Sequence, residues 1–136
     1  MVKPICKDVM FLSKKAEIAT AEDIHIAEDL LDTLKAHREG CVGMAANMIG
    51  INKAIIVVSM GLFDVAMLNP KIVKRLKPYE AEEGCLSLTG TRKCQRYDEI
   101  EVEWQDMNFN RQRSKYTGWI AEIIQHEIDH LNGVVI

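Results

Sequence analysis

A chain of 136 residues, 48% apolar and 27% charged, has the profile of one globular domain, 1–136, large enough to bury a core. Its net charge of −3 gives no electrostatic case for sequence-specific nucleic-acid binding or for an anionic membrane surface. No apolar run reaches spanning length and the first residues lead into polar sequence, so the expectation is a cytoplasmic protein with neither signal peptide nor membrane anchor.

Residues 1–20 read as irregular, with short apolar pieces such as Val9 to Leu12. Thr20 followed by Asp23 predicts an N-cap with an acidic third position, opening a helix that runs to about His37. Ile24, Ala27, Leu31 and Leu34 form its apolar stripe, with Glu22, Asp29, Asp32 and Lys35 facing water. His25 and His37 have no partner at metal-binding spacing and are expected to be solvated. The run from Gly40 to Gly50 is rich in glycine and alanine and lacks the Gly-Lys-Ser/Thr of a phosphate loop. It suits either close backbone packing or a ligand lying against exposed main chain. Ala54 to Ser59 predicts a buried strand, Val65 to Leu68 and Ile72 to Arg75 shorter strands around Asn69-Pro70, and Glu99 to Gln105 a half-exposed strand. A turn at Asp106 to Asn110 then leads into Arg111 to Tyr116. Strands closed by a final helix indicate an α+β fold with mostly antiparallel sheets.

That final helix carries the chemistry. His126-Glu127-Ile128-Asp129-His130 places two imidazoles one turn apart on one helix face, where both can grip one ion. Glu127 is turned about 100° away, within reach of a water on that ion. Ala121, Ile124, Ile128 and Leu131 recur at helical intervals, and Gly118 and Gly133 bracket the run. A third ligand has to come from upstream, because no His, Cys, Asp or Glu follows His130. Four cysteines, Cys6, Cys41, Cys85 and Cys94, form no Cys-x-x-Cys pair, and as thiols they are open to ligation or to core packing. Cys85, flanked by glycine, is the leading candidate; Cys94, Glu82 and Glu83 are weaker on spacing alone.

Gly84-Cys85-Leu86-Ser87, Gln125-His126-Glu127-Ile128-Asp129-His130-Leu131-Asn132-Gly133 and Gly43-Met44-Ala45-Ala46-x-x-Ile49-Gly50 together resemble peptide deformylase. The likeness includes Asn69-Pro70 and Arg92 and runs from about residue 4 to the C-terminus. It implies antiparallel β-sheets packed around a central metal-binding helix, with Cys85, His126 and His130 as metal ligands and a fourth position left for water. Ferrous iron is the implied physiological metal, with Zn2+ or Ni2+ able to substitute. The implied reaction removes the N-formyl group from the initiator methionine of new bacterial polypeptides and releases formate, with Glu127 moving the proton. The Leu86 backbone N–H would support the oxyanion. The peptide would lie as an added strand against Val42, Gly43 and Met44 and near Gly84, with Arg92 also counted among the substrate residues. Its methionine would enter a pocket made by Val42, Trp119 and Ile123. Asp129 is expected to orient the helix. Implied partners are N-formylated nascent peptides and a transient association with the ribosome.

Two positions depart from the family pattern. Cys41 replaces a glycine, and Met48 stands where the family carries a glutamine whose amide would reach the water or the oxyanion. A thioether donates no hydrogen bond. Asn47 is a carboxamide one position earlier, but in an extended segment it would point the other way. An alternative reading is therefore a weak or inactive deformylase-like protein that binds formyl peptides or senses metal or redox state. An endopeptidase using the same helix is a third.

Overall fold

The computed structural model describes residues 1–37, 39–85 and 88–134, the side chains of Cys85, Leu88 and Thr89 excepted. Its elements are α1 (Val9–Leu12), a 3-10 turn (Ala21–Asp23) running into α2 (Ile24–Ala36), β1 (Gly43–Ala45), a second 3-10 turn (Ala46–Ile49), β2 (Ile55–Ser59), β3 (Asp64–Cys85), β4 (Leu88–Gln105), β5 (Arg111–Thr117) and α3 (Gly118–Leu131). The strands form a sheet in the order β1-β2-β3-β4-β5 with every pairing antiparallel, and α3 packs against it, which is the expected α+β class. Among the described residues no helix is long and apolar enough to cross a membrane.

Val9–Leu12, expected to be irregular, is a single helical turn, because Asp8 caps it by accepting from Met10 N at 3.0 Å. Asp23 accepts from Thr20 N at 2.8 Å, as the capping pattern predicts. The buried stripe of α2 is rotated from the expected one: Ile26, Leu30 and Thr33 join Ala27 and Leu34, while Ile24 and Leu31 are half-buried. The N-terminal segment causes this shift. Lys3 N donates to Thr33 Oγ1 at 2.9 Å, and the Met1 ammonium pairs with Asp29 and Asp32, so a second flank of the helix is covered.

The two short strands expected around Asn69-Pro70 are parts of the single strand β3. Its ladder to β4 shifts register between Leu68 and Lys71. Asn69 takes the left-handed conformation (φ 51°), and its amide bridges Ala19 N, Ala19 O and Gln105 Oε1 at 2.8–3.0 Å. The Asn-Pro pair thus makes a bulge held by side-chain bonds instead of a chain reversal. β4 likewise starts well before the predicted Glu99.

In β2, Ile55, Ile56, Val57 and Val58 are all fully buried, each stabilising the fold by roughly 1.5–3 kcal/mol. They meet the predicted stripe of α3, Ala121, Ile124, Ile128 and Leu131, in one core. Gln125 docks α3 onto β4 by mimicking a neighbouring strand: its Oε1 accepts from Tyr97 N at 2.8 Å and its Nε2 donates to Tyr97 O at 2.7 Å. The helix stops at Gly133 (φ 77°), where a Cβ would fall 2.3 Å from Ser13 O.

Candidate metal centre

One face of α3 carries Trp119, Glu122, Ile123, His126 and Glu127, at the three- and four-residue spacing that aligns side chains on a helix. This face forms a wall of a cleft of about 420 Å³, closed on the other side by Gly40–Gly43, Met48, Glu82–Gly84 and Gly90. The cleft can be this narrow because β1 approaches α3 at Gly43, where a Cβ would lie 2.7 Å from Ile123 Cγ2 and 3.1 Å from Glu127 Oε2. Only glycine fits there.

His126 and His130 turn their Nε2 atoms towards each other, 3.1 Å apart, with ring planes at 61°. The carboxylate of Glu127 lies within 4.8 Å of the imidazole nitrogens. Glu83 fixes the tautomer of His126, whose Nδ1–H donates to Glu83 Oε1 at 2.7 Å and leaves the Nε2 lone pair for an ion. Arg96 holds Glu83 in turn with a two-pronged contact, Nη2 to Oε1 at 2.7 Å and Nε to Oε2 at 3.0 Å, while its Nη1 reaches Asp129 at 2.6 Å. Burial opposes ionisation of Glu83, but the bonds from His126 and Arg96 outweigh it and hold that carboxyl well below the usual range.

The two functional groups at the centre are shifted mainly by burial. His130 is held neutral, with its pKa lowered to about 3. Glu127 is pushed up to about 7, near the working range of a general base. Glu127 Oε1 and His130 Nδ1 are buried with no hydrogen-bond partner among the described residues. Converging imidazole nitrogens, a dry carboxylate oxygen beside them and a neutral His130 fit a divalent cation with an oxygen ligand or water at its side.

Of the residues singled out from the sequence, Val42, Gly43, Gly84, Trp119, Ile123, His126 and Glu127 line this cleft, and His130 stands against His126. Met44 is fully buried in the core and is outside the cleft lining, and Arg92 is exposed on β4, opposite Glu83 in the ladder. The Cys85 side chain and all of Leu86 lie outside the described residues. The weaker ligand candidates have other partners. Glu83 carries His126 and Arg96, Glu82 accepts from Thr91 Oγ1 at 2.6 Å, and the Cys94 thiol, raised to about 11 by burial, faces Ala81 O.

Met48 and Asn47 sit in a 3-10 turn and not in the extended segment expected from the sequence. Met48 lines the cleft, its Sδ accepting from Ala45 N at 3.4 Å. Asn47 is fully buried and donates its Nδ2 to His130 O at 2.8 Å, so its amide is committed to the end of α3. Sequence reading missed Arg96 and Glu122. Arg96 comes into play only through the β3–β4 register, and a glutamate at the start of a helix ordinarily reads as a solvated charge.

A family model described as polypeptide deformylase matches residues 3–136. A peptide deformylase of Clostridium beijerinckii is 53% identical over 136 residues, covering the whole of both chains. The crystal structure of peptide deformylase from Thermotoga maritima superimposes with a TM-score of 0.89 at 30% identity, covering 99% of this chain and 95% of that one. A Met-Ala-Ser-bound class I type b peptide deformylase from Acinetobacter baumannii gives a TM-score of 0.89 at 28% identity over 99% and 97%. A match over nearly the full length, in sequence and in fold, joins a helix that presents two histidines and a glutamate to a narrow cleft: this chain belongs to the peptide deformylase family.

Proposed function

We propose that the chain hydrolyses the formyl amide of N-formylmethionyl peptides through Glu127, with Cys85, His126 and His130 holding one divalent ion. Ferrous iron is the proposed native metal, Zn2+ or Ni2+ its substitutes, and the cytoplasm the place of work. The observation that carries this reading is the pair of facing Nε2 atoms with the unpartnered Glu127 oxygen beside them, at the bottom of a peptide-sized cleft.

Amide hydrolysis is slow because water is a weak nucleophile and an amine a poor leaving group. A divalent ion held by Cys85, His126 and His130 would supply Lewis acidity, the chemistry that brings the pKa of water to about 7. Glu127 takes the proton from the attacking water and delivers it to the departing nitrogen, and a pKa of about 7 suits both steps. Burial keeps its carboxylate dry, which strengthens its interaction with that proton. Glu83 holds the ring of His126 in one tautomer through the transfer. Leu86 N–H is the proposed donor to the developing oxyanion.

The peptide backbone is proposed to add to the outer edge of β1. Ser59 N donates to Val42 O at 2.8 Å and Gly43 stands opposite Val58, so the backbone groups of Val42 and Met44 serve β2 while those of Gly43 face the cleft. Gly43 O is capped by the Cys41 thiol at 2.9 Å, a contact that a peptide N–H would replace.

Iron-loaded protein under anaerobic conditions should release formate from formyl-Met-Ala-Ser. Glu127→Gln should retain the metal and lose about a hundredfold or more in kcat. Metal-loaded protein that releases no formate sinks the reading, as does full activity in Glu127→Gln.

A further inference from the structure

The wall of the cleft that would face the first side chain of the substrate is not uniformly apolar. Glu122 lies one turn after Trp119 at the rim and one turn before His126, on the same face of α3. Its carboxyl is held by β3. Tyr79 donates its hydroxyl to Glu122 Oε1 at 3.1 Å. Tyr79 and Glu83 are four residues apart on one strand, so they lie on the same face of it. Glu83 is itself clamped by Arg96 and His126. The tether therefore draws the polar end of Glu122 towards Tyr79, which lies outside the cleft lining.

Resting on the deformylase reading, we propose that Glu122 is a specificity-determining residue of the pocket for the first side chain, and that Tyr79 is the positioning residue that keeps its carboxyl out of that pocket. The side chain served is an unbranched apolar one such as methionine. A carboxyl swinging free among Val42, Trp119 and Ile123 would have to be desolvated each time that side chain entered, whereas a tethered one keeps its partners.

Kinetics on formyl-Met-Ala-Ser and binding of the product tripeptide Met-Ala-Ser, followed by tryptophan fluorescence, test this in the metal-loaded enzyme. Tyr79→Phe should raise KM and weaken tripeptide binding about three- to tenfold, with kcat within about twofold of the parent. Glu122→Asp, whose shorter arm cannot reach Tyr79, should do the same. Tyr79→Phe/Glu122→Leu should recover most of the loss, which a merely structural role for Tyr79 would not allow. An unchanged KM in Tyr79→Phe and Glu122→Asp, a loss confined to kcat, or no recovery in the double variant overturns the proposal. Parent enzyme that neither releases formate nor binds the tripeptide removes the deformylase reading, and this pocket with it.

Discussion

At the scale of single residues, position 48 brings a thioether to the lining of the cleft. A thioether accepts the Ala45 N–H but offers no donor to the cleft, and the neighbouring carboxamide of Asn47 is bonded to the carbonyl of His130. Losing one donor to an oxyanion typically lowers kcat by about a hundred- to a thousandfold. Met48→Gln should therefore raise the rate of formate release at least about tenfold. An unchanged rate would show that the enzyme has no missing donor to restore. The histidine pair was legible in the sequence because spacing on a helix is fixed by backbone geometry alone. The direction of Asn47 was not, because a 3-10 turn and an extended segment differ by a rotation that Ala-Ala-Asn-Met does not encode locally. Glu122 was hidden for a related reason: its partner, Tyr79, comes from a strand 43 residues earlier.

Among the elements, the β3–β4 ribbon supports the metal centre. The short strands read from β-branched runs are real pieces of it. Their union into one 22-residue strand depends on Asn69 being bonded to Ala19 and Gln105, contacts made across the fold. The same ribbon delivers Glu83 to His126 and Arg96 to both Glu83 and Asp129, tying two strands to α3. Removing one partner of a buried ion pair leaves an uncompensated charge. Arg96→Met should thus lower unfolding stability by about 3–5 kcal/mol in urea titration and weaken metal retention alongside. A loss below about 1 kcal/mol would mean that the ladder, with Gln125 on Tyr97, holds the helix unaided.

For the molecule as a whole, proton balance sets stability once metal is removed. Glu127 titrates near 7 in the folded chain against 4.5 ordinarily, so the folded state holds the extra proton in that window and stability falls as pH rises through it. His130 titrates near 3 against 6.5, so there the unfolded state holds the extra proton and stability rises with pH. Between 4.5 and 6.5 the two slopes oppose each other. Urea midpoints of the metal-free parent should be nearly flat across that range, while metal-free Glu127→Gln should gain up to about 1.4 kcal/mol per pH unit. Parallel curves for the two proteins would show that Glu127 does not carry a raised pKa.

The outward backbone of β1 is scarcely more than one residue long. Gly43 presents its N–H and a carbonyl already capped by the Cys41 thiol, while the next outward N–H, that of Ala45, is bonded to Met48. Sheet edges normally invite other sheets, since a row of free amides welcomes any strand of matching length. Here the row is too short for a folded partner, and Ile123 and Glu127 crowd it. On the proposed placement of the peptide, a loose chain terminus threaded end-on still fits, and the enzyme would tell unfinished polypeptides from completed proteins by thickness before it reads any side chain.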